Sequence, residues 1–144
     1  MSFEHEVQVR FQDVDAGGVV FFGRVYDYVH MAYEEFWASE GVDRSFFFGG
    51  ADYLVPIAHS EADYRTPMRH GERVRVHLDV TRVGRASFTL RHRVLGPDGS
   101  ARVDALTVHA FVRKDSMKPI AIPDDLRAIL LKHLVPEPVA NHPA

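Results

Sequence analysis

The sequence predicts an α+β chain: a five-stranded antiparallel sheet wrapped around one long helix, with a short helix near the C-terminal end. Three observations predict it. Val25, Val29, Ala32 and Phe36 recur at helical spacing, and Tyr33 and Trp37 widen that apolar stripe. Stretches on both sides of the stripe alternate apolar and polar residues with a period of two, the pattern of half-buried strands. Four of these stretches follow the helix in succession, so a doubly wound sheet, which needs repeated βαβ units, is excluded.

The first strand covers residues 3–12, where Val7, Val9 and Phe11 alternate. A loop of two aspartates, two glycines and an apolar run follows. The helix begins near Gly23 and runs to about Glu40, with Gly41 as a natural stop just past its end. Phe46-Phe47-Phe48 then precede Gly49-Gly50. Such a run does not suit an exposed loop. It either covers a partner surface, walls an apolar pocket or seals the open end of the core, and the sequence leaves these open. A second strand, 53–66, sets Leu54, Ala58, Ser60, Ala62 and Tyr64 on one face and His59, Glu61, Asp63 and Arg65 on the other, and Pro67 ends it. His59 and Ser60, as neighbours on a strand, point to opposite faces and form no nucleophile–base pair. The third strand, 72–83, alternates Val74, Val76, Leu78 and Val80 with charged residues. Gly84 marks a tight reversal into a strand carrying Ala86, Phe88 and Leu90, and Gly96-Pro97-Asp98-Gly99 is a turn whose proline presets φ. The last strand, about 101–114, places Leu106, Val108, Ala110 and Val112 together. Pro123 opens a short helix with Leu126, Leu130 and Leu134 at i, i+4, i+8. Residues 1–134 read as a single domain, and 135–144, with three prolines, as a loose tail.

Composition narrows the function. A hydrophobic content of 46% allows a real core, and a net charge of −3 gives no footing for a nucleic-acid partner. The absence of cysteine rules out disulfides, thiolate metal sites and a cysteine nucleophile. No apolar run approaches the ~18 residues of a membrane span. The acidic first residues lack the apolar core of a signal peptide, so a cytoplasmic protein is expected. The nine histidines are scattered without ligand spacing, and no metal is expected.

The chemistry concentrates in Asp13-Val14-Asp15-Ala16-Gly17-Gly18-Val19-Val20-Phe21-Phe22-Gly23-Arg24. A carboxylate stands on a loop directly before a helix N-terminus, where unpaired N–H groups and the positive end of the macrodipole polarise an oxygen that gains negative charge. Together they offer a base or nucleophile beside an electrophile-stabilising pocket. From the residues alone, the same aspartates also suit turn capping and the glycines positive φ.

This motif, continued through Val25 and Tyr26, resembles the opening motif of hotdog-fold acyl-CoA thioesterases of the 4-hydroxybenzoyl-CoA thioesterase type, and the resemblance extends from about Val7 to Leu134. It implies the hotdog fold, with protomers paired edge to edge, active sites between subunits, a homodimer at minimum and a homotetramer by family habit. It implies hydrolysis of an acyl-CoA thioester with no cofactor beyond the coenzyme A of the substrate. Asp15 matches the family's catalytic carboxylate, which either attacks the carbonyl or activates a water. The backbone N–H of Phe22 matches the group that polarises that carbonyl. Gly17 and Gly18 would admit the thioester closely, Phe21 would line the acyl site, and Arg82 and Arg85, flanking Gly84, would meet the coenzyme A phosphates. Asp13 competes with Asp15 as the reactive carboxylate, and the family match favours Asp15. The aromatic neighbourhood of Phe21, Phe22 and the Phe46–Phe48 run, with the helix segment from Tyr26 to Glu34, favours an aroyl over an aliphatic acyl group. A hydratase would need a histidine placed for proton transfer, and none lies between His5 and His30. A non-catalytic acyl-CoA-binding scaffold remains the alternative from another class.

Overall fold

The computed structural model describes residues 2–50 and 52–135. Five antiparallel strands form the sheet: β1 (Phe3–Gln8), β3 (Ile57–Tyr64), β4 (Arg73–Val83), β5 (Ser87–Leu95) and β6 (Ala101–Ala110), in the spatial order β1-β4-β5-β6-β3. β1 and β3 are therefore its edges. The helix α1 (Arg24–Ser39) lies across the sheet and buries Val25, Tyr28, Val29, Ala32, Tyr33, Phe36 and Trp37. These are the positions the 3.6-residue period selects, and they meet Val74, Val76, Leu78 and Val80 of β4, all fully buried. Gly41, at φ +76°, turns the chain out of the helix. The predicted α+β sheet wrapped on one helix is the structure observed.

The core has two halves. Under the first turns of α1, Val7, Val9, Val25, Met68, Val74, Val94 and Val103 pack together. Under its C-terminal turns, Phe36 and Trp37 join Phe46, Phe88 and Phe111 and the short helix α2 (Asp124–Lys132), which contributes Leu126 and Leu130. The expectation of a loose tail concerns 136–144, which lie outside the described residues, together with Val135, whose N–H donates to the Val80 carbonyl at 2.7 Å.

Three elements differ from the sequence expectation. The first strand ends at Gln8, and Phe11–Asp13 form a single tight helical turn that leaves Phe11 exposed. The expected strand 53–66 is two elements divided by Val55-Pro56: β2 (Tyr53–Leu54) pairs with β7 (Val112–Arg113) in a separate ribbon, and only β3 joins the main sheet. Proline has no N–H for a ladder, so the break falls where the chemistry requires it. The last strand has the opposite facing to the one expected. Pairing sets Phe88 against His109 and Leu90 against Thr107, so Val103, Ala105, Thr107 and His109 turn inward, and Leu106, Val108 and Ala110 lie on the other face. The Phe46–Phe48 run is split: Phe46 is buried on Trp37 with ring centroids 4.9 Å apart and seals the core, Phe47 packs on Tyr33, and Phe48 is 81% exposed.

Candidate active site

The loop between β1 and α1 is a small hairpin. The Phe21 N–H donates to the Asp13 carbonyl at 2.9 Å and the Asp15 N–H to the Val19 carbonyl at 2.9 Å. The tip closes through the Gly18 N–H on the Asp15 carbonyl at 3.0 Å, with Gly18 at φ +77°, a backbone state only glycine adopts without strain. The outer arm is stitched to the chain after β3, since the Val20 N–H donates to the Met68 carbonyl at 2.8 Å.

The two aspartates separate cleanly in this frame. Asp13 is buried, and its carboxylate accepts the Tyr28 hydroxyl at 2.7 Å and the Arg10 N–H at 3.0 Å. Burial, then the bond to Asp13, pushes the Tyr28 phenol above its ordinary range, so the hydroxyl stays a donor. Asp13 is thus a structural anchor of the hairpin. Asp15 is exposed, and its Oδ1 accepts the Gly17 N–H at 2.8 Å. A side chain at Gly17 would stand 3.2 Å from that oxygen and crowd the carboxylate.

Asp15 opens onto a cleft of about 400 Å³ whose walls include Phe21, Phe22, Val25, Tyr64 and Met68. Phe22 lies in the turn just before α1, and among the described residues its N–H has no acceptor. Its carbonyl accepts the Val25 N–H at 3.3 Å and the Tyr64 hydroxyl at 3.0 Å. The structure therefore brings Asp15, Phe21 and Phe22 to one cleft. Gly17 and Gly18 form the hairpin tip and are not among the cleft walls. Arg82 and Arg85 stand elsewhere. The cleft meets the sheet at the row Tyr64–Val103–Val94, whereas Arg82 belongs to the row Thr89–Val108, five residues along β5 and so about 17 Å away. Both arginines are exposed, and neither has a carboxylate partner among the described residues. The turn between them is tied down through its main chain, where Arg127 Nη2 donates to the carbonyls of Gly84 at 2.8 Å and Arg85 at 3.0 Å.

The wall behind the cleft rests on a clamp that sequence reasoning missed. Arg102, nearly buried at the start of β6, donates from Nη1 to the Pro67 carbonyl at 2.6 Å and grips Glu72 with both terminal nitrogens at 2.9 and 3.1 Å. Glu72 in turn accepts the Arg69 N–H at 2.6 Å. Burial works to raise the Glu72 carboxyl, but these donors outweigh it and hold the group below the ordinary carboxylate range. Nothing in the sequence separates Arg102 from the other arginines. Tyr64 was on the correct face of its strand by alternation, but its hydroxyl's partner was not foreseeable.

Deeper in the core, Thr107 Oγ1 lies 2.9 Å from His92 Nε2 and 2.8 Å from His109 Nε2. The His109 ring is sandwiched between Tyr33 and Phe88, with centroids at 4.6 and 4.8 Å. Burial pushes both imidazoles down to about 3, so both are neutral. No group of three or more His, Asp or Glu suited to a metal ion occurs among the described residues. Among the described residues no helix is long and apolar enough to cross a membrane.

A five-stranded antiparallel sheet wrapped around a central helix, with a carboxylate hairpin at that helix's N-terminus, is the arrangement of a hotdog-fold protein. Residues 9–130 match the model of the thioesterase-like superfamily, and the chain belongs to that superfamily. It is 32% identical over 127 residues to a 1,4-dihydroxy-2-naphthoyl-CoA hydrolase of Synechococcus elongatus, covering 88% of this chain and 93% of that one. A protein of the same name from Trichodesmium erythraeum is 33% identical over 135 residues, covering 91% and 96%. Among solved structures, a 1,4-dihydroxy-2-naphthoyl-CoA thioesterase from Synechocystis superposes with a TM-score of 0.85 at 24% identity, over 91% of this chain and 96% of the other. That likeness bears on the fold.

Proposed function

We propose that this chain is an aroyl-CoA thioesterase that hydrolyses a hydroxynaphthoyl- or hydroxybenzoyl-type thioester through Asp15. The observation that carries the proposal is the cleft shared by Asp15 and Phe22 at the N-terminus of α1, where the Phe22 N–H has no acceptor among the described residues. A thioester carbonyl placed between them would meet a carboxylate oxygen on one side and an unsatisfied N–H at the positive end of a helix on the other. Either direct attack or activation of a water fits that geometry. Water adds to the acyl carbon, the C–S bond breaks, and the thiol leaves as free coenzyme A. The names of the relatives support an aromatic acyl group, as do the rings of Phe21 and Phe22, 4.7 Å apart beside Asp15.

The active unit in this proposal is a homodimer joined through the open edge of β3, within a tetramer. Residues of β3 are exposed along most of its length, as an unpaired sheet edge would be. An antiparallel copy of β3 would carry the Arg82–Arg85 end of one sheet towards the Asp15 cleft of the other, where the two guanidiniums would meet coenzyme A phosphates.

The test is release of free thiol from benzoyl-, hydroxybenzoyl-, dihydroxynaphthoyl-, phenylacetyl- and short aliphatic CoA esters. Fastest turnover of the hydroxyaroyl esters is expected. A preference for the aliphatic esters would overturn the acyl assignment, and tight binding with no thiol released would overturn the enzyme.

A further inference from the structure

Tyr64 ends the edge strand β3, and its hydroxyl donates to the Phe22 carbonyl at 3.0 Å across 42 residues of sequence. The Tyr64 ring meets the Phe22 ring edge-on, with centroids 6.5 Å apart. Phe22 is the residue whose amide faces the reacting carbonyl in the function proposed above, and the present inference rests on that proposal.

The start of α1 is weakly held by its own sequence. Gly23 occupies the N-cap position and offers no side-chain oxygen to the first turn. The Val25 N–H reaches the Phe22 carbonyl only at 3.3 Å. Among the described residues, the Tyr64 hydroxyl makes the one side-chain hydrogen bond to the main chain between Phe21 and Arg24. A first turn without a side-chain cap frays readily, and fraying would swing the Phe22 peptide away from the cleft. We infer that Tyr64 is a positioning residue: by pinning the Phe22 carbonyl to the sheet edge, it holds the preceding peptide so that the Phe22 N–H points into the Asp15 cleft. The transition state gains most from this, because a preorganised donor is worth most where charge develops and least for the neutral thioester of the ground state.

Tyr64→Phe removes the hydroxyl and keeps the ring. Its kcat on the thioester that the unaltered enzyme turns over fastest should fall about tenfold with KM changed by less than about twofold, the pattern of an interaction used in the transition state. A second measurement is independent of turnover. Labelling with carbonyl-13C phenylalanine and 15N glycine illuminates only the two Phe–Gly peptides of the chain, Phe22–Gly23 and Phe48–Gly49. In Tyr64→Phe the Phe22 carbonyl signal should move as its hydrogen bond is lost, while that of Phe48 stays. An unmoved Phe22 signal, or a raised KM with kcat intact, would overturn the inference, the latter by making Tyr64 a substrate contact. A fall in kcat matched by an equal loss of folded protein would overturn it too. If the unaltered enzyme cleaved no thioester, the proposed function would fail, and the carbonyl signals would still decide whether Tyr64 holds the Phe22 peptide.

Discussion

At the scale of single residues, the two aspartates of the hairpin make opposite predictions although they stand two positions apart. Asp15 touches its own turn and the cleft, so Asp15→Asn should lose about 10²–10⁴ in kcat with an unchanged melting temperature, the range of a lost acid–base or nucleophilic group. Near-full activity in that variant would remove Asp15 from the chemistry. Asp13 instead satisfies a buried phenol and a backbone amide. Asp13→Ala leaves both donors without an acceptor, and the loss of stability should be about 1–3 kcal/mol by denaturant unfolding. The sequence alone placed both aspartates at the start of the helix, and only the family motif ranked them. What the sequence does not contain is depth: the burial that makes Asp13 structural is created by Tyr28, one turn into α1, closing over it.

At the scale of elements, β6 shows how far alternation carries and where it stops. Period-two spacing located the strand but chose the wrong inner face, because Leu106 and Val108 look more like core than Thr107 and His109. The inward choice joins three side chains through the two Nε2 atoms, while Nδ1 of each imidazole is buried with no hydrogen-bond partner among the described residues. Thr107 has one proton to give, so it donates to one imidazole and accepts from the other, and the two histidines carry opposite tautomers. Stacking on Tyr33 and Phe88 covers the His109 ring. This arrangement has a pH signature. Both imidazoles titrate at about 3 when folded, against an ordinary 6.5, so between those values the unfolded chain binds more protons. Stability is therefore full above about pH 6.5 and falls as pH drops, each histidine adding up to about 1.4 kcal/mol per pH unit. Denaturant midpoints from pH 7 to pH 4.5 should show this slope, and His109→Gln should flatten it by about half. A slope unchanged in the variant would show that His109 is not the titrating group. β2 was missed for a simpler reason, since a two-residue strand has no periodicity to read.

At the scale of the whole molecule, the α+β order and the wrapped sheet were legible because one long amphipathic stripe followed by successive alternating segments admits few topologies. The assembly proposed above is not legible in the residues, since a single chain leaves the Arg82–Arg85 turn apart from the cleft that Tyr64 of β3 lines. Two measurements join these points. Sedimentation should find at least a dimer, with specific activity falling on dilution as the assembly dissociates. Arg85→Ala should raise KM for the CoA ester more than it lowers kcat, and an unchanged KM would remove Arg85 from the site. The Arg102 clamp carries a last consequence. A methyl group at Gly96 would collide with the Arg102 guanidinium, which already spends its donors on Ser100, Pro67 and Glu72. The β5–β6 connection is thus coupled through Arg102 to Pro67, a residue of the cleft wall. A saturation screen for inactive clones should therefore return hits at Gly96, outside the cleft lining, as well as at the cleft itself.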